Sequence, residues 1–118
     1  MNSEEIGTVL AEAYKELRDS TVAAYNQACT LAGAKRAFKT RESEILIKFA
    51  ADPKVLGPNA ETRDAAIKSM MEQEVNNLSM AEQAMAEVSH YVDMARINVE
   101  SARAQLRVLE LANPRGER

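Results

Sequence analysis

Apolar side chains recur along this chain at alternating intervals of three and four residues, over nearly its whole length. In the first half, Leu10, Leu17, Ala24, Leu31, Phe38 and Ile45 form one row seven residues apart, and Ile6, Ala13, Ser20, Gln27 and Ala34 form a companion row. In the second half, Met71, Leu78, Met85, Val92, Val99 and Leu106 form one row, and Ile67, Glu74, Ala81, Val88, Ala95, Ala102 and Leu109 form the other. Such spacing lines up side chains on one face of an α-helix. Sustained over six heptads, it points to coiled-coil-like pairing rather than to a short globular helix. Glu74 is the one charged residue in the second seam.

The breaks in the pattern set the boundaries. Asn2 or Ser3 caps the first helix, with Glu4 and Glu5 at the positive end of its dipole. The helix runs over residues 3–51, and Asp52-Pro53 ends it, because the residue before proline leaves the α region. Residues 52–59, with two prolines and Gly57, are the turn. The second helix covers residues 60–112, starting after the N-cap Asn59, and residues 113–118 are a frayed tail. Helices of about 50 residues are each roughly 75 Å long at 1.5 Å per residue. A turn this short makes them antiparallel, with residue i opposite roughly residue 111 − i. The expected fold is therefore all-α: one antiparallel two-helix hairpin over residues 1–118. Small seam residues allow close packing, and Gly33 is a place where the first helix can kink.

A hairpin of this kind withdraws only one stripe per helix from water, which is little core for its surface. Beside the seam lie further apolar positions: Tyr14, Ala28 and Phe49 on the first helix, Met70, Ala84 and Tyr91 on the second. These predict a homo-oligomer, a four-helix or larger bundle, with Tyr14, Phe49, Met70 and Tyr91 at its interface. A lone hairpin with an apolar flank, or helices swapped between chains, are the alternatives.

Composition agrees with helices. Of the 118 residues 46% are hydrophobic but only 4% aromatic, with four Gly and three Pro. Ala, Leu, Met, Glu, Lys and Arg favour helix, and the scarcity of aromatic residues disfavours sheet. The single Cys29 forms no internal disulfide, which fits a reducing compartment. The acidic Met1-Asn2-Ser3-Glu4-Glu5 start does not read as a signal peptide. No stretch reaches the roughly 20 apolar residues of a membrane span. The expected location is the cytoplasm of a bacterial host or phage-infected cell, with no membrane partner.

Catalytic chemistry finds little support. Glu87 and His90 spell the Glu-x-x-His of di-iron bundles. Val88 lies in the seam, however, which turns Glu87 and His90 outward. Cys29 also faces outward, with no base nearby in the pattern. Phosphate loops, paired-Cys motifs and Ser-His-Asp sets are missing. The reading is a non-enzymatic protein with no catalytic residue, no metal, no cofactor and no small-molecule substrate.

Charge is unevenly spread. The net charge is −3, which gives no general attraction to nucleic acid. Residues 1–25 carry two basic and five acidic groups, or −3, while residues 26–51 carry five basic and two acidic groups, or +3. Lys35, Arg36, Lys39 and Arg41 surround Phe38. From Glu72 to Asp93 there are five acids and no Lys or Arg. Arg96, Arg103 and Arg107 follow. One reading is a pair of basic patches that hold a phosphate backbone. The other is intramolecular pairing that sets the register: Lys35 to Arg41 against Glu72 and Glu74, and Arg96 to Arg107 against Glu4, Glu5 and Glu12.

Three segments carry a resemblance: Leu31-Ala32-Gly33-Ala34-Lys35-Arg36-Ala37-Phe38-Lys39, Gly57-Pro58-Asn59-Ala60-Glu61-Thr62-Arg63, and Arg103-Ala104-Gln105-Leu106-Arg107-Val108-Leu109-Glu110. In these the chain resembles small all-helical phage and prophage proteins encoded near recombination genes. The resemblance implies a non-enzymatic accessory to DNA recombination or replication, with single-stranded DNA or a recombination protein as partner. Lys35, Arg36, Lys39 and Arg63 would be its DNA contacts, together with Arg41 from the basic cluster. The alternative is a protein–protein adaptor, or a phage inhibitor of a host defence protein, that binds no DNA and uses the acidic stripe from Glu72 to Asp93.

Overall fold

The structure, a computed structural model, describes residues 2–50 and 52–112. No strand occurs among them; the protein is all-α. Helix α1 spans Ser3–Phe49, α2 Pro53–Leu56, α3 Ala60–Met70 and α4 Glu72–Ala112. No helix among the described residues is long and apolar enough to cross a membrane.

Local chemistry sets the helix starts. At α1 the Glu5 backbone N–H donates to Asn2 Oδ1 at 2.8 Å, and the Asn2 N–H reaches back to Glu5 Oε2 at 3.4 Å. This reciprocal box satisfies two N–H groups that the helix itself leaves unpaired. Asn59 and Thr62 repeat the device at α3, with Thr62 N–H donating to Asn59 Oδ1 at 2.9 Å and Asn59 N–H to Thr62 Oγ1 at 3.3 Å. Asp52 caps the single turn of α2 by accepting the Lys54 N–H at 3.0 Å. Gly57 then takes φ +85°, a left-handed conformation that L side chains resist, and a Cβ there would lie 2.6 Å from Thr62 Oγ1.

Three expectations about the elements change. The first helix ends at Phe49; Ala51, its expected last residue, lies outside the described residues, as does the expected frayed tail of 113–118. The turn is not bare loop, because α2 sits inside it and buries Leu56. The second helix is not continuous: it divides at Met71, whose backbone lies at φ −113°, ψ 23° and whose N–H donates to Lys68 O at 3.1 Å. That i→i−3 bond tightens the end of α3, and α4 restarts with Val75 N–H on Met71 O at 2.8 Å. No Pro or Gly marks the place. At Gly33, by contrast, α1 runs on as helix.

The described chain forms two compact units. In the second, Gln27–Met85, the core is a cluster of Ile45, Leu56, Ile67 and Met71, with Phe38, Phe49, Val55, Ala66, Met70 and Val75 packed against it. Residues 38–49 thus pack on residues 66–75, beyond the turn, so the chain doubles back on itself. Ile45 of α1 and Ile67 of α3 meet in this one cluster. The first unit joins the part of α1 up to Asn26 with the part of α4 from Ala86. Its buried side chains are Ile6, Ala13, Val92, Ala95, Val99 and Ala102. Half of these are alanines, so this core is thin and the Leu10, Leu17 and Leu106 side chains remain half-exposed.

Within both units, every residue of the expected rows is buried or half-buried, including the polar Ser20, Gln27 and Glu74. The heptad pattern therefore locates the inward face throughout. Two neighbours in sequence show how sharply it does so: Ile45 is 1% exposed and Ile47 is 83% exposed.

Truncating Ile45 to Ala is expected to cost about 2–4 kcal/mol through lost burial and a residual cavity. Ile47→Ala should stay within about 0.5 kcal/mol. Urea denaturation of both variants checks this; equal effects would mean that the inward face is misassigned. A second pair tests the backbone. Gly57→Ala forces a left-handed residue against Thr62 and should destabilise by more than about 1 kcal/mol. Gly33→Ala, where an added Cβ meets nothing within 4 Å, should stabilise by up to about 1 kcal/mol.

Candidate interaction surfaces

Lys35, Arg36 and Lys39 emerge from two turns of α1, and all three are exposed. Lys35 and Lys39 are four residues apart and share a side of the helix, with Arg36 beside them. Arg41 is exposed too but already engaged: its Nη1 lies 3.4 Å from Glu44 Oε2. It also edges a shallow groove with Met70, Glu72 and Glu74. Arg63 is exposed in the first turn of α3. Three of the five expected nucleic-acid contacts thus stand together on α1, while Arg41 is engaged with Glu44 and Arg63 lies on α3.

The expected charge pairing between helices does not form. Among the described residues there are two ion pairs, Arg41–Glu44 and Arg96 Nη1–Asp93 Oδ1 at 3.7 Å, and both lie within one helix. Their side chains are about half exposed or more, where such pairs contribute little. Arg96 is held on its own helix rather than reaching the acids near the start of α1. Glu12 and Glu16 face Asn98, Ser101 and Gln105 across a groove, not an arginine. Glu74 is half-buried at its seam position, at the rim of a groove shared with Ala34, Ala37 and Ala81. It has no basic partner among the described ion pairs. Arg41 lines a groove with Glu72 and Glu74 but forms no ion pair with either.

The four residues expected at an oligomer interface differ in exposure. Phe49 and Met70 are half-buried against the core of the second unit, and Lys48 Nζ sits 5.3 Å from the centre of the Phe49 ring. Tyr14 and Tyr91 are exposed. Tyr14 shares a groove with Arg103 and Arg107, whereas the α4 row that contains Tyr91 also contains Asn98 and Gln105, which face Val9 and Glu16. The two tyrosines therefore flank opposite sides of the seam. In antiparallel helices each flank packs against its own kind, so Tyr14 and Tyr91 do not meet across the seam.

Glu87 and His90 point outward as the heptad position requires, and both are exposed. The His90 ring lies 6.2 Å from that of Tyr91, tilted by 52°. Among the described residues no group of three or more His, Cys, Asp or Glu side chains could hold a metal ion. Cys29 is an exposed free thiol.

What the sequence reading missed is an outward apolar row on α4, with Met94, Ile97, Val108 and Leu111 all exposed. Its signal was available: with Ser101 and Ala104 between them, these residues keep the three-and-four spacing of the seam on the other side of the helix.

Replacing Glu74 by Leu completes the seam with an apolar side chain and is expected to stabilise the protein by roughly 1 kcal/mol. The check is an equilibrium urea titration alongside sedimentation. Loss of stability, or a changed assembly state, would restore Glu74 as a determinant of register.

No protein-family model, curated protein or solved structure matches this chain, so its function is read from its own surfaces.

Proposed function

We propose that the protein is a non-enzymatic, self-assembling helical scaffold that engages an anionic partner through Lys35, Arg36 and Lys39 of α1. In this reading it serves as a phage-type accessory to DNA recombination or replication in the bacterial cytoplasm, with single-stranded DNA as the partner. The observation that carries the reading is the state of those three cations. They are exposed on adjacent faces of one helix, and neither described ion pair uses them. Intramolecular pairing, which would otherwise account for a basic segment in an acidic chain, has no contact to support it. A compact group of unused cations gains by releasing counterions from a phosphate backbone. Their segment also carries part of the resemblance to phage recombination accessories. Assembly into a four-helix or larger bundle belongs to the same proposal, supported by half-exposed seam leucines and by large apolar side chains left in water.

A second reading rests on the acids. Glu72, Glu74, Glu82, Glu87 and Asp93 form a run without a Lys or Arg, and of these only Asp93 is in a described ion pair. A basic protein surface would fit that run, as in an adaptor or an inhibitor of a host protein that binds no DNA.

Fluorescence anisotropy of labelled single- and double-stranded DNA, titrated at several salt concentrations, separates the two. Three phosphate contacts on a single strand predict a log–log salt slope of about −2. Combined Lys35→Glu and Arg36→Glu should weaken binding by roughly tenfold or more. No binding even at low salt would remove DNA as the partner and leave the acidic run as the surface to pursue.

A further inference from the structure

The outward face of α4 carries a second heptad row that the internal seam does not use. Met94, Ile97, Ser101, Ala104, Val108 and Leu111 follow at intervals of three, four, three, four and three. All six are exposed, with Ile97 at 56%, Val108 at 65% and Leu111 at 75%. They lie across the helix from Val92, Ala95, Val99 and Ala102, which are buried in the seam, and Ala104, Val108 and Leu111 also edge the open groove that holds Leu10 and Tyr14 of α1. Scattered apolar residues on a surface need no explanation; here two apolar pairs, Met94 with Ile97 and Val108 with Leu111, flank the small Ser101 and Ala104 at coiled-coil spacing.

We infer that this row is a self-complementary docking surface, on which α4 of a second copy of the chain lies antiparallel about a two-fold axis. The inference rests on the self-assembly proposed above; because the row lies across α4 from the seam, this contact sets two copies side by side, α4 against α4, in place of a bundle around one shared core. The register follows from antiparallel coiled-coil geometry, in which facing core positions share one sum and one flank a sum two greater. Centred on itself, the row puts Met94 opposite Leu111, Ile97 opposite Val108, and Ser101 opposite Ala104 of the second copy, each summing to 205. The flank that sums to 207 then sets Glu100 opposite Arg107 of the second copy, and by symmetry Arg107 opposite its Glu100. On the other flank Asn98 meets Gln105, again twice. An isologous contact requires every such pair to occur in both directions; here Met94–Leu111 and Ile97–Val108 are apolar, Glu100–Arg107 joins opposite charges, and Ser101–Ala104 is small on both sides.

No other register does this. A shift of one heptad in one direction sets Val108 against His90, Leu111 against Glu87, and Glu100 against its own copy. The opposite shift sets Arg107 against its own copy and carries Met94 and Ile97 past Ala112. A parallel pair forms no Glu–Arg contact and aligns the two helix dipoles head to head. Charge complementarity along the flank therefore selects both the occupant and its direction.

The test is sedimentation of the full chain over a wide concentration range, with circular dichroism to confirm helicity. A species of twice the 13.0 kDa chain mass is expected. Ile97→Lys with Val108→Lys, both at exposed positions, should leave a folded monomer. Arg107→Glu faces Glu100 with a like charge twice over and should weaken the dimer by roughly tenfold or more. Adding Glu100→Arg to Arg107→Glu recreates both pairs with reversed polarity and should restore it. A wild-type chain that stays monomeric at every concentration overturns both this contact and the self-assembly reading. A dimer that survives Ile97→Lys with Val108→Lys, or one that the charge swap fails to rescue, overturns this contact while leaving self-assembly through another face.

Discussion

The seam between antiparallel helical segments is the interaction on which everything else in this protein depends. Two positions in seven are withdrawn from water, and many of them hold residues as small as alanine. Burial scales with the apolar area removed from solvent, so an alanine-rich stripe stabilises far less than a leucine-rich one. In the first unit Ala13, Ala95 and Ala102 do much of this work, and larger neighbours such as Leu10 and Leu106 are only partly covered. A core this narrow leaves most of each helix circumference available for other contacts. That economy links the packing to the function proposed: the surface area is there to be used.

The second unit is built differently. Its turn does more than reverse the chain. Asp52, Gly57 and Asn59 each fix one piece of backbone, and together they deliver Leu56 to the end of the seam, where it joins Ile45, Ile67 and Met71. The cluster combines four large side chains at a single level and buries them almost completely. The irregularity at Met71 lies at this same place. One residue leaves helical geometry while its side chain becomes fully enclosed.

Charge plays a smaller part in the fold than its abundance suggests. The described ion pairs are local, exposed and three residues apart, a geometry worth a few tenths of a kcal/mol. Among the described residues no ion pair joins two helices, and Lys35, Arg36, Lys39, Glu72, Glu74, Glu82 and Glu87 are in none. In the readings proposed above, DNA binding draws on the cations of α1, and association draws on the row of α4 that Glu100 and Arg107 flank.

The inward face, the all-helical class, the caps at Asn2 and Asn59 and the reversal near Pro53 were all legible in the sequence. Each follows from periodicity or from a local backbone rule. Ile6, Ala13, Ile45, Ile67, Val92 and Ala102 are inside because spacing alone puts them on one face. Tertiary structure decided the rest. No local rule announces that Met71 leaves the helix, or that Leu56 turns inward from a turn. Both depend on what residues distant in sequence place beside them. Nor does a count of charges show which cations are used: Arg41 found Glu44 while Lys35, Arg36 and Lys39 met no acid, because side-chain reach across a seam is set by packing. The same geometry parted Tyr14 from Tyr91. Sequence periodicity states which face turns inward; only the packed helices decide which flanks meet.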